Sequence, residues 1–147
     1  MKTLFKSLFL ASAILMSSLG HAQLGGLGGL KDAMGGGSSS SGGDALKLQG
    51  ELILGMSIAM NSFLKADAKF MSAIGLDGEA KKLLNLVEEP SENDKKLGAK
   101  IKASGEADKK MQSFIDSGKE LSNEGKKDLA DGLLPYAVGM ASMIKMA

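Results

Sequence analysis

The chain has no cysteine, no tryptophan and no arginine, and its one histidine is His21. Without cysteine it can form neither a disulfide nor a thiolate metal site. Beyond His21 there is no imidazole, which removes Ser-His-Asp and Cys-His catalysis and zinc sites built on His or Cys. Every basic residue is lysine, so the bidentate guanidinium grip on phosphate or carboxylate is missing. Charge of either sign is also weak. Eighteen basic and seventeen acidic residues leave a formal net charge of +1. Such a balance lacks the field that recruits nucleic acid or acidic membranes, and no nucleic-acid partner is expected. Nothing in the composition calls for a cofactor.

The start of the chain reads as an export signal. Lys2 and Lys6 give a basic beginning, Leu8 to Met16 is apolar apart from Ser12, and Gly20-His21-Ala22 offers small residues to a signal peptidase. Residues 1–22 are therefore expected to be a signal peptide cleaved near Ala22, leaving Gln23 as the mature start and a periplasmic or secreted product. Cleavage would remove two lysines and no acid, leaving sixteen bases against seventeen acids, a net charge of −1. It would also remove the histidine. No later segment is long and apolar enough to span a bilayer, so no transmembrane span is expected in the mature chain.

Residues 23–43 read as a Gly/Ser-rich linker. They include Gly25-Gly26-Leu27-Gly28-Gly29-Leu30 and the run from Gly35 to Gly43. Glycine maximises backbone freedom, and little here can be buried to offset the entropy of ordering. A phosphate-cradling loop would need a following strand-turn-helix context and a lysine at a set position, and both are lacking.

Residues 44–147 read as one helical domain. Asp44 can cap a first helix running to about Ile74, in which Ala45, Leu48, Leu52, Met56, Ala59, Phe63, Ala66, Phe70 and Ile74 recur at helical spacing. Leu52 to Leu64 carries no charge, as befits a helix contacted on several sides. A second helix is predicted from Gly78 to about Glu89, stopped by Pro90. Ser91 and Asp94 resemble a capping box for a third, solvent-facing helix ending near Ser117. Ser122 can cap a fourth, with Leu129, Leu133, Ala137, Met140, Ala141 and Ile144 as its buried stripe and a kink or break at Pro135. The fold class is all-α, a small four-helix bundle. Two related helical hairpins are suggested by Leu76 to Leu84 matching Leu121 to Leu129, and by Met60 to Leu64 matching Met111 to Ile115.

Methionine is the unusual enrichment, with ten in the chain. Met140, Met143 and Met146 recur every third residue, and thioethers bind soft cuprous ions. Methionine equally fills irregular cores. The apolar middle of the first helix, with the proline-containing fourth, suggests helices that part around an acyl chain or expose a groove; Leu52, Met56, Met60, Phe63 and Met140 are its candidate ligand-binding residues. Glu88, Glu89, Glu92 and Asp94 cluster at the Pro90 turn in no calcium-loop spacing and read as solvated helix-end charge. A Glu106–Lys110 ion pair is expected at four-residue spacing.

The leading reading is an exported, non-catalytic helical module that binds a protein partner or an apolar small molecule. The alternative is a structural or assembly protein tethered through its Gly/Ser linker. An atypical enzyme or a methionine-based copper binder stands third.

Overall fold

In the computed structural model, the described residues 42–146 hold four helices and no strand. These are α1 (Gly42–Ala73), α2 (Asp77–Leu84), α3 (Leu97–Asp116) and α4 (Asn123–Met146). From Leu46 onward they belong to one compact unit, Leu46–Ala147. The expected signal peptide, and the expected linker up to Ser41, lie outside the described residues. No helix among the described residues is long and apolar enough to cross a membrane.

The core follows α1. Ala59, Met60, Phe63, Leu64, Ala66, Ala68, Phe70, Met71 and Ala73 are all buried. The apolar face predicted for this helix is thus covered from Ala59 onward, whereas Ala45, Leu48 and Leu52 stay exposed. The reason lies in α4, which runs antiparallel to α1 and ends with Met146 against Gly55. The first turns of α1 extend past that point, where Glu92 reaches Gly50 but Ala45, Leu48 and Leu52 stay exposed.

The α1–α4 seam is built on glycine. Gly125, Gly132 and Gly139, seven residues apart, are the buried small residues of α4. A side chain built on Gly125 would meet the carbonyl oxygen of Ala73. At Gly132 it would stand 2.5 Å from Phe70 Cε1, and at Gly139 2.8 Å from Phe63 Cε1. Between the glycines, Tyr136 packs edge-on to Phe63 at 5.5 Å and tilted against Phe70 at 6.3 Å. The missing Cβ atoms let the α1 phenylalanines sit on the α4 backbone. Lys69 ties the same two helices together through Asp128 at 3.2 Å.

This arrangement overturns the stripe predicted for α4. Leu129 is buried and Met140 half-buried, but Leu133, Ala137, Ala141 and Ile144 face outward. The glycines took the inner face because it comes closest to α1, and the larger apolar residues were turned away from it. Pro135 neither splits nor ends α4, which continues through it. The carbonyl that proline leaves without a donor belongs to exposed Asp131, where water can satisfy it.

Two helix ends also differ from expectation. α2 stops at Leu84, well before Pro90, and closes through backbone bonds from Asn85 to Lys81 and from Leu86 to Leu83. The chain is then drawn across α1, because Asn61 Nδ2 donates to the Glu88 carbonyl. α3 starts at Leu97, not near Ser91, and the Ser91–Asp94 capping box does not form. Ser91 Oγ accepts from Asn93 N instead, while Asp94 Oδ1 accepts from Lys96 N at 2.9 Å. The Ser122 cap does form, its Oγ accepting from Gly125 N at 2.9 Å. Gly75 (φ 79°) and Gly118 (φ 68°) make the left-handed turns that follow α1 and α3.

Candidate functional site

The candidate ligand-binding residues fall in different surroundings. Leu52 is exposed, Met56 and Met140 are half-buried, and Met60 and Phe63 are core residues. Phe63 lies against Gly139 and Tyr136. A concavity lies elsewhere, between α2 and α3. It holds about 180 Å³ and is lined by Met71, Leu83 and Ala107, with Glu79, Lys82 and Lys110 among its polar lining. Pockets that enclose drug-sized molecules run to about 300–1,000 Å³. This groove is smaller, and its polar side is already engaged: Glu79 accepts from Lys110 at 2.6 Å and from Lys82 at 2.8 Å. Those two ammonium groups hold the Glu79 carboxyl down at about 2. Lys110 thus pairs across to α2, and the Glu106–Lys110 bridge expected along α3 is replaced by a tertiary one.

Met140, Met143 and Met146 are each half-buried on α4. Steps of three residues rotate each methionine by about 60° relative to the last on a helix of 3.6 residues per turn, so the three fan across a face. Met146 is committed to Gly55. No cluster of three or more carboxylates or imidazoles suited to a metal occurs among the described residues.

Polar chemistry does gather inside, at Lys100, Ser57, Asp67 and Ser104, and at Asp94, whose expected place as solvated helix-end charge is overturned because its side chain is 5 % exposed and paired with Lys100. Lys100, on the helix expected to be most solvent-facing, is fully buried and donates to Asp94 Oδ2 at 2.7 Å. Ser57 Oγ donates to the same oxygen at 2.6 Å. Burial pushes the Asp94 carboxyl upward, but Lys100, Ser57 and the Lys96 N–H outweigh it, and the net shift is downward. Farther along the same seam, Asp67 is buried and accepts from Ser104 Oγ at 2.6 Å. Burial, then the nearby Asp108, drive the Asp67 carboxyl well above its usual range, against the Ser104 bond. Burial likewise lifts Asp108 to about 6. These groups bind α1 to the Asp94 turn and to α3. Lys100 and Ser57 are bonded to Asp94, and Ser104 to Asp67. The signal that marks them is the heptad spacing of Lys100, Ser104, Ala107 and Met111, which puts all four on the inner face of α3.

A surface feature with no internal use is the outer face of α4. Leu134 is 73 % exposed, Ile144 70 % and Val138 47 %, and Leu133, Ala137 and Ala141 join them. Residues 132–144 contain no charge. Asp131 and Lys145 bracket them, both exposed. On a helix, Leu134, Val138 and Ala141 fall in one line with those two charges, at alternating spacings of three and four. Scattered exposed leucines are ordinary on a protein surface, but a continuous uncharged helical face is a mark of an interaction site. Sequence reasoning counted Leu133, Ala137, Ala141 and Ile144 as core, and left out Leu134 and Val138, because periodicity reports that a face is apolar without saying what covers it. Comparison with family models, with curated proteins and with solved structures finds no match for the chain.

Proposed function

We propose that the chain is a non-catalytic helical interaction module, exported by its first 22 residues, that docks protein through the outer face of α4. The observation that carries this reading is that face: within an uncharged run of 13 residues, Leu133, Leu134, Val138 and Ile144 are exposed while Tyr136 packs on α1. Two further observations favour a protein over an apolar small molecule. The interior along α1 is filled by Met60, Phe63, Leu64, Phe70 and Met71, and the groove between α2 and α3 is small and polar-rimmed.

The interior polar groups are structural in this reading. Ser57 and Lys100 bond to Asp94, and Ser104 bonds to Asp67. The four helices are consistent with a bundle, and the turns after α1 and α3 each use a left-handed glycine. The Gly/Ser segment supplies reach between the bundle and whatever the N-terminal end is held by, which also accommodates an assembly role.

Native mass spectrometry of the protein purified from an exporting host tests the proposal. The expected result is a polypeptide beginning at Gln23 that carries protein, in defined stoichiometry and without lipid. A stoichiometric apolar small molecule bound to the monomer would overturn it.

A further inference from the structure

The outer face of α4 has a symmetry that narrows the choice of partner. Its seam runs Asp131, Leu134, Val138, Ala141, Lys145, with the acid and the base each seven residues from Val138. Laid antiparallel against a second copy about a two-fold axis through Val138, the face meets itself. Such an isologous contact requires that residue i meet j wherever j meets i. Here Asp131 falls opposite Lys145 of the other copy at both ends, about 20 Å apart at 1.5 Å per residue. Leu134 falls opposite the Ala141–Ser142 turn, and Val138 opposite itself. Ala137 and Ala141 keep the centre of the face thin enough for two helices to approach.

The charges are free to serve. Lys145 is exposed and makes no ion pair among the described residues. Asp131 has only a distant contact, 3.9 Å to Lys69, whose closer partner is Asp128 at 3.2 Å. A parallel pairing would put Asp131 beside Asp131 and Lys145 beside Lys145, and like charges placed together in an interface are strongly disfavoured.

We infer that the partner of the outer α4 face is a second copy of this chain, bound antiparallel through Leu134, Val138 and Ala141, with Asp131 and Lys145 pairing across both ends. The inference rests on reading that face as a protein-docking surface.

The absence of cysteine makes a direct test simple. Val138→Cys places one thiol on the proposed axis, and Lys102→Cys places one at an exposed position on α3 as a control. In the full exported chain at low micromolar concentration, mild oxidation should convert Val138→Cys, and not Lys102→Cys, to a disulfide dimer. Equal cross-linking of the two would overturn the inference. Charge exchange supplies a second readout by sedimentation. Asp131→Lys and Lys145→Asp should each weaken the dimer, roughly tenfold at low salt, and the double variant should recover it. A double variant no tighter than the singles would also overturn it. Failure of this inference is distinguishable from failure of the functional reading. A monomeric protein that still carries a different protein, released by Leu134→Lys, contradicts the second copy and leaves protein docking standing. A monomer that carries nothing contradicts both.

Discussion

Lys100 shows how much a single residue can hide from a sequence. It belongs to a run rich in lysine, glutamate and serine, where solvation is the ordinary expectation, yet its side chain is fully buried. Its ammonium and the Asp94 carboxylate are stable there only because each satisfies the other, with Ser57 and the Lys96 N–H completing the shell around Asp94. Removing one member of a buried pair leaves the other charge uncompensated, typically at about 3–5 kcal/mol. Lys100→Met is therefore expected to lower unfolding free energy by about that amount in urea titration. Lys100→Met combined with Asp94→Leu should sit closer to the parent than the single change does. The acid pair farther along the seam gives an opposite pH signature. Asp108 rises from 3.8 to about 6 on burial, so the folded form binds protons more tightly than the unfolded. Its cost is absent below the unfolded value and grows as pH rises from about 4 to about 6, amounting to ~3 kcal/mol when complete. Asp108→Asn, which resembles the protonated acid, should flatten that fall and leave the protein more stable than the parent at pH 8 and little changed at pH 4. Asp94 and Glu79, both shifted downward, act in the other sense and stabilise at higher pH.

At the scale of the element, α4 separates what was legible from what was not. Its existence, its Ser122 cap and its approximate length follow from capping chemistry and helical periodicity. Its orientation does not, because both of its long faces are poor in charge. One face carries Gly125, Leu129, Gly132, Tyr136, Gly139, Met143 and Met146, and the other carries Leu133, Leu134, Ala137, Val138, Ala141 and Ile144. A transfer-energy argument favours burying the larger residues. The fold instead buries the smaller ones, because close approach gives α1 contact with the α4 backbone and lets Phe63 and Phe70 pack where Cβ atoms would stand. The seven-residue recurrence of glycine, matched on α1 by buried Ala59, Ala66 and Ala73, was the available clue. The ends of α2 and α3 were misread for a related reason. A proline and a Ser-x-x-Asp pattern mark where a helix can stop or start, but the Asn61 bond to Glu88 and the Asp94 pair with Lys100 decide where this one does. The glycines allow a sharp comparison. Gly125→Ala would press a methyl group onto the Ala73 carbonyl, so it should destabilise by about 1–3 kcal/mol despite alanine's better helix propensity. Gly105→Ala on α3 meets open space and should stabilise by about 0.5–1 kcal/mol. Thermal unfolding of the two variants, side by side, checks both signs.

For the whole molecule, the division of labour is between a closed interior and an uncovered surface. The absence of cysteine and arginine, with His21 the single histidine, argues against common catalytic and metal chemistry from composition alone. Along α1 the core is filled, and Asp67, Ser104, Asp94 and Lys100 hold helices together. What is left over is apolar area on the outer side of α4 and on the first turns of α1, where Leu46, Leu48 and Leu52 are exposed. The most direct test of the central claim, that the outer face of α4 is where this chain meets protein, is site-specific photo-cross-linking in the producing host. A photoreactive residue at Val138 should give discrete protein adducts, of a second copy or of another chain, that are absent when the same residue replaces Lys102. A Val138 probe that yields no more adduct than the Lys102 probe would contradict the account.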